Sequence, residues 1–234
     1  MPLVLSGQPE DAAEVIEAKA ASLGAPLIAQ GQHWHVSEER GRLVYQDETG
    51  LLDLPPPSLM GAHQFQNAGA ALAGLRHLGL PESSYEAAVT RATWPARMQK
   101  LAQGPLIDAA PEAELWLDGG HNAACGATLA ESLTRLPKRP TYMICGILNT
   151  NDIAGYLAPV VPHIKALHAV SIPGEANTLP AETTAAAATE AGMSAHAADS
   201  VMSALHDILR DAPQARILIC GSLYLAGHIL REHS

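Results

Sequence analysis

Phenylalanine occurs once in these 234 residues, and tryptophan and tyrosine add only three and five more. The hydrophobic cores must therefore be built from Leu, Ile, Val and the abundant Ala, a composition suited to helices packed closely on a sheet. Cysteine is as sparse. Cys125, Cys145 and Cys220 are odd in number and far apart, which supports neither a disulfide framework nor a C-x-x-C metal knuckle. No apolar run approaches the ~20 residues that a membrane helix needs, and no signal-peptide pattern opens the chain. A reducing, cytoplasmic location with no membrane partner is expected. Positive charge is short too: Asp and Glu outnumber Lys and Arg by 24 to 14, for a formal charge of -10. Without a Lys/Arg run to displace counterions from phosphates, nucleic acid is not an expected partner.

What is present reads as alternating strands and helices. Leu3-Val4-Leu5 suggests a strand, Pro9-Glu10-Asp11 a helix start, residues 12–23 its body, and Pro26-Leu27-Ile28-Ala29 the next strand. This β-α-β opening has no preamble, and a preceding segment is expected to be missing. Residues 33–54 alternate polar and apolar between turn signals, as a meander of strands would. His33 and His35 then share one strand face, where an exposed hairpin surface is expected rather than a metal site. Helices are expected at 61–78 and 83–92, with a break at Trp94-Pro95 because the residue before proline avoids the α region. Beyond Arg97, strands near 115–117, 141–145, 166–170 and 217–220 alternate with helices near 125–136, 180–191, 201–209 and 223–230. That rhythm predicts an α/β fold with a parallel sheet covered by helices on both faces. The boundary between two domains is placed near 93–97, giving domains of 1–95 and 96–234.

In open α/β sheets, ligands collect beyond the C-terminal strand ends. Three segments there carry glycine or polar residues: Asp118-Gly119-Gly120-His121-Asn122, Gly146 to Asp152, and Gly221-Ser222. In the first, a carboxylate, an imidazole and an amide precede a helix start, a place for a ribose hydroxyl or an anion. Asp118 or Asn122 could equally serve as the helix cap. On chemistry alone these two readings stand level.

The same residues carry a resemblance. Leu117-Asp118-Gly119-Gly120-His121-Asn122 resembles the D-G-A-H-N signature of the bifunctional dihydrofolate synthases/folylpolyglutamate synthases, members of the Mur ligase superfamily. Gly61-Ala62-His63-Gln64 with Asn67-Ala68 resembles their G-x-H-Q-x-x-N-A helix start, and Trp94-Pro95-Ala96-Arg97-Met98-Gln99 their W-P-G-R-x-Q linker. Gly146-Ile147-Leu148 with Asp152 resembles G-M-L-x-x-K-D, and residues 220–227 resemble the family's last strand-to-helix turn. Each motif is short, but the five occur in order along nearly the whole chain. The resemblance implies an incomplete Mur-ligase central domain followed by a Rossmann-like C-terminal domain. It also implies an ATP-dependent ligase that adds L-glutamate to dihydropteroate or folate through an acyl phosphate. Asn67 would lie near adenine, Arg97 would reach the ATP phosphates and Asp118 would hold the ribose. His121 would face the cleft as a catalytic and substrate-binding residue, with Ser222 binding substrate. The plainer readings are that Arg97 pins the linker, His63 and Gln64 cap a helix, and Ser222 makes a turn hydrogen bond.

Three departures accompany the resemblance. Gly120 replaces alanine, Asn151 replaces lysine and so removes a cation, and Ala96 replaces the linker glycine, which should stiffen it and disfavour positive φ. No G-x-x-x-x-G-K-[ST] phosphate loop occurs. Magnesium ligands are accordingly expected in a missing N-terminal segment, with no metal site in this chain. The chain is expected to be inactive alone, and to pair with that segment or self-associate through an exposed strand edge. Two other functions fit the same residues: a noncatalytic nucleotide- or folate-binding remnant, and a fragment of a cell-wall Mur ligase. A dinucleotide-binding Rossmann protein would need an early G-x-G-x-x-G, which is absent.

Overall fold

The computed structural model describes residues 1–149 and 152–232, and the chain divides into two compact units, Met1–Thr93 and Trp94–Ser234. Asn151 lies outside the described residues.

The first unit opens with β1 (Leu3–Leu5), α1 (Glu10–Ser22) and β2 (Leu27–Ala29), the two strands pairing in parallel. A three-stranded antiparallel meander follows: β3 (Trp34–Glu39), β4 (Arg42–Asp47) and β5 (Gly50–Leu54). The helices α2 (His63–His77) and α3 (Ser83–Thr90) complete the unit. Its core gathers four of the chain's few aromatics, Trp34, Tyr45, Phe65 and Tyr85, with Leu43, Leu52 and Leu72. Gly69 lets α2 lie against the meander, since a Cβ there would stand 2.6 Å from Val36 Cγ1 and 2.8 Å from Trp34 Cζ3. Arg76 reaches from α2 to the β4–β5 turn, where it pairs with Asp47, donates to the Gly50 carbonyl at 3.0 Å and lies over the Tyr45 ring. Burial and the neighbouring Asp47 carboxylate push the Tyr45 hydroxyl well above its ordinary pKa.

Two expectations for this unit change. His33 precedes β3 rather than sitting on it, and its Nδ1 accepts the Ala29 N–H at 3.1 Å, so it does not share a strand face with His35. Nor does a side chain cap α2: Gln64 is buried, with its amide 2.9 Å from His63 Nε2.

The second unit holds a six-stranded sheet in the order β10-β9-β8-β11-β7-β6. The strands are β6 (Gln99–Lys100), β7 (Glu114–Leu117), β8 (Thr141–Cys145), β9 (Leu167–Ala169), β10 (Ala195–Ala197) and β11 (Arg216–Cys220). All pair in parallel except β6, which runs antiparallel to β7 with Lys100 opposite Trp116. β11 is completely buried, which explains its continuous apolar run Ile217-Leu218-Ile219. Alternate residues serve opposite faces. Leu115, Leu117, Ile144, Ile217 and Ile219 share a core with α4 (Pro105–Ala109), α8 (Val201–Asp211) and α9 (Leu223–Glu232). The other face bears α5 (Ala123–Arg135), α6 (Ile153–Leu157), which runs into a 3₁₀ turn (Ala158–His163), and α7 (Ala181–Glu190).

Caps set the helix starts. Asn122 accepts the Cys125 N–H at 2.9 Å ahead of α5, Asp152 accepts the Gly155 N–H at 3.0 Å ahead of α6, and Ser200 and Ser203 cap α8 reciprocally. No helix among the described residues is long and apolar enough to cross a membrane.

Candidate functional site at the strand ends of the second unit

The strand order creates a switch point. β7 and β8 are consecutive in the parallel series but not adjacent, because β11 lies between them. Chain leaving these three strands diverges at their C-terminal ends, where α/β sheets open a crevice. The three glycine-bearing loops noted above therefore meet there. Asp118 N–H donates to the Ile219 carbonyl at 3.0 Å, and Gly146 N–H to the Cys220 carbonyl at 3.1 Å, so the loops start in register. Gly221 has a φ of 104°, and a Cβ on it would stand 2.8 Å from both Cys145 Sγ and the Gly146 carbonyl oxygen. Only glycine lets this loop pass so close to its neighbour.

Asp118 is the organiser. It is buried, its Oδ2 accepting the Met98 N–H at 2.9 Å and its Oδ1 the Gly120 N–H at 2.7 Å. Gly119 N–H donates to the Ala96 carbonyl at 2.8 Å, and Ala96 N–H to Gln99 Oε1 at 2.9 Å. The linker motif and the D-G-G-H-N loop are thus one hydrogen-bonded unit, with Asp118 as its buried anchor. Neither the cap nor an open ribose acceptor describes this residue fully; the cap of α5 is Asn122. Both carboxylate oxygens are engaged, though a carboxylate offers about four acceptor positions.

The linker contains a correction. Ala96 adopts a φ of 56° and Met98 a φ of 40°, so alanine does not bar the left-handed conformation here. An L-residue pays about 1–2 kcal/mol for it. The three hydrogen bonds and the burial of Ala96 hold it in place. Between these two residues Arg97 is exposed, and among the described residues its guanidinium has no hydrogen bond or ion pair. It does not pin the linker.

His121 is half-buried, its Nδ1 3.0 Å from the Gly119 carbonyl oxygen. A carbonyl only accepts, so Nδ1 carries the proton and Nε2 keeps its lone pair for another partner. Ser222 is almost fully buried and its Oγ accepts the Tyr224 N–H at 3.0 Å, as the turn reading has it. Asn67 lies in the first unit, exposed on α2, with its Nδ2 donating to Gln64 Oε1 at 3.0 Å. The structure brings together Arg97, Asp118, His121 and Ser222 within the second unit.

Sequence reading assigned no role to Met98, Gln99 or Leu223. The first two act through a backbone N–H and a turn hydrogen bond, which residue identity does not announce. Leu223 packs onto Gly119, where a Cβ would collide with its Cδ2. Beneath the loops, the Tyr156 hydroxyl is buried beside the thiols of Cys220 and Cys145. No cluster of three or more His, Cys, Asp or Glu among the described residues could hold a metal ion.

Fold and loops define a mixed α/β protein whose second unit is Rossmann-like, the architecture of folylpolyglutamate synthases. E. coli FolC in complex with DHPP and ADP superposes with a TM-score of 0.81 at 26% identity, covering 98% of this chain and 52% of that one. The Yersinia pestis bifunctional folylpolyglutamate synthase/dihydrofolate synthase complexed with AMPPNP and Mn ion gives 0.77 at 26% identity, with 98% and 52% covered. Residues 107–232 match the family described as dihydrofolate synthetase, C-terminal domain, and the chain belongs to that family. Folylpolyglutamate synthase of Lacticaseibacillus casei is 29% identical over 98% of this chain and 53% of its own length. The chain spans about half the length of these relatives.

Proposed function

We propose that this chain forms part of an ATP-dependent ligase that joins L-glutamate to dihydropteroate or a folate. Residues 1–95 correspond in this reading to the C-terminal part of a central ATPase-type domain, and residues 96–234 to the Mur-ligase C-terminal domain. The observation that carries it is Arg97: an exposed guanidinium without a partner among the described residues, on a linker locked by Asp118 to the crevice loops. A guanidinium held there offers several donors to phosphate oxygens.

The residues fit a nucleotide, with one adjustment. Arg97 is assigned to the phosphates and Asn67, with its Oδ1 and one amide hydrogen still available, to the base. Asp118 is assigned chiefly to holding Arg97 and the loop in place, with its remaining acceptor positions directed to ribose. His121, through Nε2, is the one group of the loop poised to take or give a proton at a reacting amine or carboxylate. Ser222 is assigned to shaping the loop on the substrate side. ATP, when bound, supplies the phosphoryl group that activates the carboxylate for attack by the amine. Magnesium is proposed to be held by residues of a preceding segment, and the 234 residues alone to bind nucleotide without ligating.

Calorimetric titration with ADP tests the reading. Arg97→Ala should weaken binding about 10–100-fold, as expected for loss of a charge-assisted contact of about 1.5–3 kcal/mol, and Arg97→Lys should recover part of it. Equal affinity in the wild type and Arg97→Ala overturns the phosphate assignment. Glutamate- and ATP-dependent product formation by the purified chain overturns the proposal that it cannot ligate alone.

A further inference from the structure

Two of the three cysteines, distant in sequence, are neighbours in the fold. Cys145 ends β8 and Cys220 ends β11, and the two are register partners across the parallel ladder. Register partners share one face of a sheet. Ile144 and Ile219, one position earlier, belong to the core under α8 and α9, so both thiols point to the other side, toward α5 and α6. Each is free, with 0% and 1% of its surface exposed. The third, Cys125 on α5, is only half-buried.

The spacing suits a covalent bond. Adjacent strands lie about 4.7–4.9 Å apart, and a disulfide joins Cα atoms about 4.4–6.8 Å apart. Burial and the adjacent Cys145 thiol push the Cys220 thiol well above its ordinary pKa, so Cys220 is held as a neutral S–H against its neighbour. A single buried cysteine is ordinarily a small apolar core residue. A pair in register on one face is different, because each sulfur is within reach of the other. The pair also lies directly beneath the crevice. Gly146 and Gly221 follow the two cysteines and begin two of its loops, tied by the Gly146 N–H to the Cys220 carbonyl at 3.1 Å. A Cβ on Gly221 would stand 2.8 Å from Cys145 Sγ, so the position of that sulfur bears on how the Gly221 backbone passes.

We propose that Cys145 and Cys220 form a reversible disulfide, a redox-sensitive staple between β8 and β11 under the crevice loops. The oxidant is a small-molecule disulfide of the glutathione type. One cysteine, as thiolate, attacks a sulfur of that disulfide, whose S–S bond breaks and releases one small thiolate. The second cysteine, as thiolate, attacks the mixed disulfide, forming the Cys145–Cys220 bond and releasing the other small thiolate. The two cysteines lose two electrons, the small disulfide is reduced to two thiols, and the two cysteine protons end on them. Burial keeps thiolate scarce and the oxidant out, so the exchange is slow in the closed fold and runs when the strand ends open. Once made, the bond closes a long loop and favours the folded chain. The staple is independent of the ligase reading, since it needs only the thiols and the loops above them.

Refolding the 234-residue chain from urea in glutathione buffers lets the thiols equilibrate without an access barrier. After quenching with N-ethylmaleimide, trypsin puts the three cysteines on three peptides, because Arg135 lies between the first two and Lys165 between the last two. In oxidised glutathione the Cys145 and Cys220 peptides should be recovered linked, and dithiothreitol should reverse the link. The linked chain should have a higher urea midpoint than the reduced one and shifted Gly146 and Gly221 amides, with Gly69 of the first unit unmoved. Cys145→Ala and Cys220→Ala should each abolish the link, whereas Cys125→Ser should keep it. Should a variant fail to fold, the peptide map of the wild type decides alone. Linkage through Cys125 instead, or recovery of Cys145 and Cys220 as unlinked peptides in oxidised glutathione, overturns the disulfide. A lower urea midpoint in the linked chain, or Gly146 and Gly221 amides that stay in place, overturns its role as a staple under the crevice.

Discussion

At the scale of single residues, Asp118 shows how a side chain can matter by holding backbone in place. Its two oxygens satisfy N–H groups from the linker and from its own loop, out of contact with water. Asn at this position keeps one acceptor and turns an NH₂ toward an N–H, leaving a buried donor unpaired. Asp118→Asn should therefore lower the stability of the second unit by about 1–3 kcal/mol, read as a lower urea midpoint with unchanged slope. The same substitution should reduce ADP affinity while Arg97 is intact, because the linker loses its anchor; undiminished stability and affinity would refute the anchoring role. The D-G-G-H-N motif itself was legible, since a strand, two glycines and a cap signal are consecutive letters. That Asp118 binds Met98 was not. A backbone donor has no sequence signature, and 20 positions separate the two. Ala96 was misjudged for a related reason: its intrinsic dislike of positive φ is a local preference of about 1–2 kcal/mol, and tertiary hydrogen bonds override it.

Among elements, long ones were legible, as were the short strands β1, β2 and β9, but β6 and β10 were not. The three meander strands, α2, α5, α7, α8 and the apolar strands β7, β8 and β11 each span enough residues for period or composition to show. β6 and β10, of two and three residues, cannot display a period, and β6 also breaks the parallel rule. The segment after Asp152 was unreadable because Pro159 and Pro162 interrupt it, turning α6 into a 3₁₀ turn. One contact of that segment supports a sharp expectation. Gly126 in the middle of α5 abuts the Tyr156 backbone, and a Cβ there would have Tyr156 Cα at 3.2 Å and its carbonyl oxygen nearer still. Alanine is the better helix former by about 1 kcal/mol, yet overpacking against backbone costs about 1–3 kcal/mol. Gly126→Ala should thus destabilise, and a raised melting temperature would show that α5 and α6 can move apart.

A second element-scale expectation concerns pH. His168 on β9 is nearly buried, its Nδ1 has no hydrogen-bond partner among the described residues, and its neighbour across the ladder is His196. Burial, reinforced by His196 and opposed by Asp207, lowers its pKa below 6.5. The folded state then binds fewer protons than the unfolded chain, so stability rises with pH. Above 6.5 both states are neutral and nothing is lost; below it the unfolded chain gains a proton that the fold resists. Urea midpoints should fall between pH 7.5 and pH 5, and His168→Phe should flatten that fall. An unchanged slope in the variant would assign the pH dependence to other groups.

For the molecule as a whole, the two cores share no residue. The cluster of Trp34, Tyr45, Phe65 and Leu72 lies in Met1–Thr93, and that of Leu117, Ile144, Leu205, Ile219 and Ile229 in Trp94–Ser234. Every strand of the six-stranded sheet and every helix covering it comes from the second unit. Its size is one at which a single core ordinarily suffices, and the loop-and-linker clamp from Ala96 to Gly120 is internal to it. Residues 94–234 expressed alone should therefore melt cooperatively and give dispersed amide spectra, with Gly119 and Gly120 at the positions they occupy in the longer chain. If the clamp is intact in that fragment, ADP should still shift those amides. Because P-loop chemistry is absent from both units, this separates two sources of nucleotide affinity that an intact ligase would mix. A fragment that melts without cooperativity would mean that the second core, for all its internal contacts, depends on the first.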